Sequence, residues 1–199
     1  MAEMPDFYKE NEYDLVGTIV GIVDKSKIID GSDIEKGDPL IGLPSNGLHT
    51  NGFSLARKVF FEIARLSCDS YIDELGCSLG EELLKVHKCY YKLIARLKEE
   101  ELPIKGLAHV TGGGIEGNTR RILPEGLSVK INWESWPLPP VFSLIKRIGD
   151  VPDLEMRRTF NMGIGLVMVI GRDHLEDALN QIKGLGEEAY IIGEVTSRC

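Results

Sequence analysis

The chain twice places a short apolar run directly before a glycine-rich loop and a helical pattern. Residues 40–43 lead into the loop 45–52, after which Phe53, Ala56, Val59, Phe60 and Ile63 recur at helical spacing. Residues 104–110 lead into a second loop, 111–118. A loop between a strand and a helix leaves backbone N–H groups free at the positive end of the helix dipole. The pattern therefore predicts two anion-binding loops, with tight turns that bind nothing as the alternative.

The other apolar patterns predict a sheet covered by helices. Residues 13–23, 127–131, 163–170 and 189–195 are typical of strands, with 13–23 buried and 163–170 central. Residues 78–97 predict one long helix that begins at a Ser78–Glu81 capping box, and residues 141–148 and 173–183 predict two more, the latter with a Asp173–Glu176 box. Because β-α and α-β units alternate without a repeat, we expect an α+β fold with a mixed sheet.

Composition excludes some functions. A formal net charge of -8 and a pI near 5.1 argue against a nucleic-acid-binding surface. The four cysteines show no zinc-ligand spacing, which indicates reduced thiols and no metal site. The first residues show no leader pattern and no stretch is long enough to cross a bilayer, so we expect a soluble, cytoplasmic protein without a membrane partner.

Few side chains in these patterns suit chemistry. His49 and His109, one beside each loop, are candidates for general acid–base catalysis or for bracing the loop. His87 and His174 are expected to be structural. Arg57 could pair with a phosphate or lie in solvent, and Asn161 could orient a ligand or cap a turn. Neither loop has a known nucleotide signature, so the residues alone predict an anion site and no more.

Five ordered segments carry a family resemblance. They are A-E-M-P-D-F-Y from Ala2, Y-D-L-V-G from Tyr13, S-N-G-L-H-T-N-G-F-S-L-A-R-K from Ser45, H-V-T-G-G-G from His109 and R-T-F-N-M-G-I-G from Arg158. Over nearly the whole chain the sequence resembles the C-terminal domain of the phosphoribosylformylglycinamidine cyclo-ligases, also called aminoimidazole ribonucleotide synthetases. The resemblance implies a layered α/β/α domain of a ligase that uses ATP and Mg²⁺ to close the imidazole ring of formylglycinamidine ribonucleotide in purine biosynthesis.

The resemblance also implies which residues act. His49 and His109 become candidates for proton transfer or substrate placement. The other residues expected to hold the phosphoribosyl substrate are Ser45, Asn46, Gly47, Thr50, Asn51, Gly52, Arg57, Thr111, Gly112, Gly113, Gly114 and Asn161. Residues 1–28 would be the end of an N-terminal ATP-binding domain, with Glu3 as a remnant of the ATP site, and residues 29–199 the substrate-side domain.

The sequence departs from the family pattern in two ways. The segments G-G-E-T and D-G-V-G-T-K, which precede A-E-M-P in the family, do not occur here. We therefore expect ATP and Mg²⁺ to be bound by a full-length homodimer and neither to be bound tightly by this chain alone. The family pattern P-T-R-x-Y is replaced by Val86-His87-Lys88-Cys89-Tyr90, which puts substrate affinity in doubt.

Two alternatives remain open from sequence. Related ATP-dependent enzymes of the same architecture include selenophosphate synthetase, thiamine-monophosphate kinase and a hydrogenase maturation factor, but the run from Asn46 to Lys58 speaks against them. The other alternative is a non-catalytic substrate-binding subunit that pairs with a separate ATP-binding half.

Overall fold

A five-stranded sheet forms the centre of the protein. The computed structural model describes residue 13 and residues 16–198. The sheet order is β4-β6-β1-β7-β5, and a separate two-stranded hairpin joins β2 to β3. The strands are β1 (Pro39–Pro44), β2 (Tyr71–Ile72), β3 (Cys77–Ser78), β4 (Ile104–His109), β5 (Leu127–Ile131), β6 (Ile164–Ile170) and β7 (Tyr190–Ser197).

Every described pair of neighbouring strands is antiparallel, so the expectation of a mixed sheet is wrong in that detail. The reason lies in the connections. β1 and β4 run in the same direction, but β6 is inserted between them and pairs with both. The α+β class itself is confirmed.

Helices cover both faces of this sheet. They are α1 (Phe53–Arg57), which continues as a π-helix (Lys58–Ile63), α2 (Leu79–Leu83), α3 (Tyr91–Glu99), α4 (Gly114–Thr119), α5 (Pro140–Gly149), α6 (Asp153–Thr159) and α7 (Leu175–Gly184). Short 3₁₀ turns occupy Lys25–Lys27, Arg120–Ile122 and Arg172–His174. Of the helices formed by the described residues, none is long and apolar enough to span a membrane.

The core explains why β6 is apolar throughout. All seven residues of β6 are buried, as predicted for an internal strand. Met168 and Ile170 pack under α3 and α7, whereas Val167 and Val169 pack against Ile115 of α4 on the opposite face. A strand buried on both faces cannot alternate with polar residues. A third cluster packs α1, α5 and α6 beside the sheet.

The long helix predicted over residues 78–97 is wrong. Its start is confirmed, since Ser78 and Glu81 form the capping box. Helix α2 nevertheless ends at Leu83 and α3 begins only at Tyr91. Val86 of the supposed apolar stripe is 81% exposed, and its carbonyl accepts a hydrogen bond from the Asn46 side chain. This tertiary hydrogen bond replaces the one that the Val86 carbonyl would accept within a helix. Val86, His87 and Cys89 are also poor helix formers.

The capping box predicted for Asp173 and Glu176 is also wrong. Helix α7 begins at Leu175, and His174 occupies the N-cap position without a side-chain hydrogen bond. Asp173 lies in the preceding 3₁₀ turn, which moves it out of register with the helix start.

The buried strand predicted over residues 13–23 is not found among the described residues of that range, which are Tyr13 and 16–23. Their apolar side chains are exposed, Val16 to 90% and Ile22 fully. A strand needs a partner for its N–H and C=O groups, and no described strand pairs with this segment. The residue pattern is typical of a strand, but the described residues include no strand that pairs with this segment.

Candidate functional site

One end of the sheet gathers the segments that sequence analysis singled out. The register pairs Pro44 with Ile164 and His109 with Leu166, so β1 and β4 end where β6 begins. Three loops therefore meet at this end of the strands, which we call the loop end: 45–52, 110–114 and 160–163. Direct contact joins the first two, since the Gly112 N–H donates to Asn51 Oδ1 at 3.0 Å.

Asn161 braces the first loop from below. Its side chain is 2% exposed, and its Oδ1 accepts from the Ser45 hydroxyl at 3.0 Å and from the Gly163 N–H at 2.8 Å. Its Nδ2 donates to the Gly47 carbonyl at 2.9 Å. Both polar atoms are thus used within the protein. Between the two predicted roles, this geometry favours the structural one.

The first loop presents unused N–H groups. Gly47, His49 and Gly52 all have positive φ, 120°, 55° and 80°, so the loop reverses its backbone direction at several points. The backbone N–H groups of residues 47–52 donate to no acceptor among the residues that the structure describes. Concave runs of free N–H groups of this kind are suited to anions. The loop geometry agrees with the predicted anion site.

The second loop is different because the protein uses its amides. The Gly113 N–H donates to the Arg158 carbonyl at 2.9 Å, and the Gly114 N–H donates to that of Thr111 at 3.1 Å. A Cβ on Gly114 would lie 1.8 Å from the Arg157 carbonyl oxygen. Close packing therefore accounts for glycine at position 114, and this loop offers an anion less than its sequence suggested.

Three histidines meet between the loops, and one of them was assigned a structural role from sequence. His49 comes from the first loop, His87 from the segment between α2 and α3, and His109 from the end of β4. The Nε2 atoms of His87 and His109 are 3.0 Å apart. The His49 ring stacks on that of His87 with centroids 3.9 Å apart. The break between α2 and α3, which sequence periodicity missed, is what brings His87 here.

Burial keeps part of this cluster uncharged. Desolvation, aided by the neighbouring His87 and His109, lowers the pKa of His49 from 6.5 to about 4. Burial also lowers the pKa of His87, and proximity to His109 adds to the effect. Both rings are therefore neutral at pH 7. The adjacent Tyr90 hydroxyl, whose pKa is raised by burial, donates to the Pro44 carbonyl at 2.8 Å and holds the first loop in place.

Arginines form a pocket beside the second loop that sequence analysis did not single out as a set. A cavity of about 290 Å³ is lined by Arg120, Arg157 and Arg158 next to Gly113. The Arg157 guanidinium stacks on Trp133 at 4.4 Å from the ring centre. Helix α6, which was not predicted, supplies two of these arginines.

The remaining predicted residues lie apart from this cluster or outside the described range. Arg57 is exposed at the end of α1, and Thr50 is exposed at the tip of the first loop. Thr111 donates from its hydroxyl to Asn118 Oδ1 at 3.0 Å. Glu3 lies outside the described residues.

Oxygen ligands for Mg²⁺ are not gathered at the loop end. Among the described residues, the one group of three or more potential metal ligands is the histidine cluster, which contains no carboxylate. Mg²⁺ prefers carboxylate and phosphate oxygens in octahedral geometry. The residues described here therefore do not fit the Mg²⁺·ATP group that the resemblance implies.

An antiparallel α+β domain whose glycine-rich loops meet at one end of the strands agrees with what sequence comparison finds. The profile of the family "AIR synthase related protein, C-terminal domain" matches residues 35–199, and the chain belongs to this family. The chain is 53% identical over 194 residues to a phosphoribosylformylglycinamidine cyclo-ligase of a Thermoanaerobacter species, covering 98% of the chain and 57% of that protein. It is 49% identical over 195 residues to that of Thermodesulfovibrio yellowstonii, covering 98% and 57%.

The structural comparison agrees on the fold. Thiamine-monophosphate kinase from Stenotrophomonas maltophilia superposes with a TM-score of 0.58 at 14% identity, over 88% of this chain and 52% of that one. Identity this low shows a shared fold and nothing about activity. The chain spans about 57% of the length of the curated relatives that it matches.

Proposed function

We propose that this chain is the substrate-binding half of an ATP-dependent ligase that closes the imidazole ring of formylglycinamidine ribonucleotide. The observation that carries the proposal is the identity of 53% over 194 residues to a protein named as that cyclo-ligase. The loop end gives it a physical basis, because three of the segments that carry the resemblance meet there.

In this proposal the first loop holds the phosphate of the ribonucleotide. The free N–H groups of residues 47–52 would donate charged hydrogen bonds to the phosphate oxygens. Asn161 and Tyr90 act by positioning that loop, through the Gly47 and Pro44 carbonyls. The arginines of α6 offer a second anion subsite next to Gly113.

The imidazoles supply the proton acceptor. Ring closure forms a C–N bond at the formyl carbon, whose activated oxygen would leave as phosphate, and the attacking nitrogen gives up a proton. Burial keeps the pKa of His49 near 4, which makes this ring a weak base at neutral pH. His109, which is exposed at the end of β4, is the better placed to reach a substrate from solvent. We assign proton transfer to His109 and placement of the first loop to His49.

ATP and Mg²⁺ belong to the part of the enzyme that this chain does not supply. When bound, they activate the formyl oxygen by phosphorylation. Residues 1–28 would form the end of the N-terminal domain, and the exposure of Val16, Ile19 and Ile22 supports this, because these side chains need a partner surface.

The test combines the chain with the N-terminal part of the Thermoanaerobacter relative, up to the residue at which the match begins. With ATP, Mg²⁺ and formylglycinamidine ribonucleotide, we expect the mixture to form the ring-closed product, whereas each part alone is inactive. Turnover by the 199-residue chain alone would contradict the assignment of ATP binding to the other part. A mixture that associates on gel filtration but forms no product would contradict the proposed reaction.

A further inference from the structure

We propose that His49, His87 and His109 together bind one divalent transition-metal ion, with Zn²⁺ as the expected occupant. One ring nitrogen of each histidine lies within 4.8 Å of one from each of the other two. The three side chains come from segments far apart in sequence, which is why ligand spacing could not reveal them. The inference concerns binding alone. His109 can hold either the ion or a proton on its Nε2 nitrogen, so the metal-bound form and the proton transfer assigned to His109 exclude each other.

The separation of the two outer rings is close to that of metal ligands. Zinc binds imidazole nitrogen at about 2.0–2.1 Å, so two ligands of a tetrahedral ion are about 3.3 Å apart. The Nε2 atoms of His87 and His109 are 3.0 Å apart without an ion. A shift of a few tenths of an ångström would therefore open the pair to coordination.

The third ring, that of His49, has a nitrogen available for coordination. His49 is 5% exposed, and its Nδ1 is buried without a hydrogen-bond partner among the described residues. A buried polar atom left unpaired destabilises the fold, and a bond to a metal would remove that penalty. Because the His49 ring is stacked on His87, it must turn before that atom can join the other two.

The other nitrogen of His49 is already held as in known metal sites. Ligating histidines usually donate their second ring N–H to an amide, carboxylate or carbonyl oxygen. His49 Nε2 lies 3.0 Å from Asn46 Oδ1, and the Asn46 amide is oriented by its own bond to the Val86 carbonyl. Coordination through Nδ1 requires the tautomer in which Nε2–H donates to Asn46 Oδ1, the shorter of two contacts, since the Asn46 backbone N–H lies 3.4 Å from the same nitrogen.

The donor set selects the kind of ion. Three neutral imidazoles suit Zn²⁺ and its neighbours Co²⁺, Ni²⁺ and Cu²⁺, whereas Mg²⁺ and Ca²⁺ require oxygen ligands. The exposure of the three side chains increases across the cluster, from the buried His49 to the exposed His109. The fourth position of a tetrahedral ion would then face solvent and take water or a ligand.

The experiment is a titration of the untagged 199-residue chain with Co²⁺ and Zn²⁺, with all four cysteines replaced by serine so that no thiolate contributes. We expect one ion per chain, a four-coordinate Co²⁺ absorption spectrum, and broadening of the ring resonances of three histidines. His174, the fourth histidine of the chain, is the internal control and should keep its resonance.

Two site variants and one control variant complete the test. His87→Ala and His109→Ala remove side chains that are at least partly exposed, and each should weaken binding at least about 10-fold. His174→Ala should leave the affinity unchanged. The proposal would be overturned by any of three results: binding that survives both site variants, binding that broadens the His174 resonance instead, or the absence of saturable binding. The NMR measurement on the cysteine-free chain decides the question even if a variant fails to fold.

Discussion

The two ends of the sheet differ in how many of their polar groups are paired within the described part of the protein. At the end opposite the loops, Asp38 accepts from Lys105 Nζ through both oxygens, at 3.0 and 2.9 Å, and from the Glu35 N–H at 2.8 Å. At the loop end, residues 47–52 leave their amides unused by described residues and His49 leaves a ring nitrogen unpaired. Buried polar groups are normally satisfied. The charges at the opposite end are paired within the protein, whereas the loop end combines a fully bonded side chain, Asn161, with amides and one imidazole nitrogen that a ligand could use.

The largest expected effect concerns Asn161, the bonded side chain that holds the first loop in place. Replacing Asn161 with Ala removes hydrogen bonds to Ser45, Gly47 and Gly163 from a site that is 2% exposed. We expect a loss of about 3 kcal/mol in the free energy of unfolding, measured by urea denaturation. Asn132→Ala is the control, because the Asn132 side chain makes one long contact at a turn, and it should cost less than about 1 kcal/mol. Equal effects would show that Asn161 does not brace the loop.

Replacing His109 distinguishes a chemical role of this side chain from a structural one at the loop end. In the reconstituted enzyme, His109→Asn should lower kcat about 10²-fold or more if His109 transfers a proton. The Tm of the chain should change little, since the side chain is exposed. Wild-type turnover in the folded variant would remove His109 from the mechanism, and a lowered Tm with normal kcat would assign it a structural role.

At the opposite end the expected effect is on stability alone. Replacing Asp38 with Asn leaves the Lys105 ammonium, whose side chain is 21% exposed, without its close partner. We expect a loss of about 2 kcal/mol, less than for a fully buried pair, and no change in ligand binding. Lys146→Met breaks the exposed pair with Asp153 and should cost about 0.5 kcal/mol or less. Weakened ribonucleotide binding in Asp38→Asn would erase the distinction between the ends.

The smallest effect should appear in the pH dependence. The pKa of His49 is lowered to about 4 in the folded chain, so the unfolded chain binds its proton first as the pH falls. The stabilising contribution is complete above pH 6.5 and is lost progressively between 6.5 and about 4. In a chelating buffer, the free energy of unfolding should fall by about 1.8 kcal/mol more between pH 7 and 5 in the wild type than in His49→Gln. Parallel pH profiles for the two proteins would show that His49 is not held neutral by the fold.

Sequence reasoning succeeded where local patterns decide the structure. The apolar run that became β6, the Ser78 capping box and the two loops depend on residues near one another in the chain. It failed where distant contacts decide. The Asn46 side chain bonds to the Val86 carbonyl from 40 residues away, inside the segment predicted to be helical. The resulting break brings His87 beside His109, and no periodicity could have revealed that cluster.

The same limit applies to the glycines. Gly52 and Gly114 looked like ligand-binding positions from sequence, but a Cβ at Gly52 would lie 2.1 Å from the Phe160 ring. The chain needs glycine there to let its own side chains pack closely. Which glycines serve packing and which serve a ligand depends on neighbours that are far away in sequence.

The most direct test of the account is an NMR titration of the 199-residue chain with formylglycinamidine ribonucleotide, which follows the backbone amides at both ends of the sheet. We expect the amide shifts to change in residues 45–52 and in the ring signals of His49 and His109, with little change around Asp38, Lys105 and Arg172. Shifts confined to the cavity of about 400 Å³ beside Lys105 and Arg172 would contradict the claim that the loop end is the functional site.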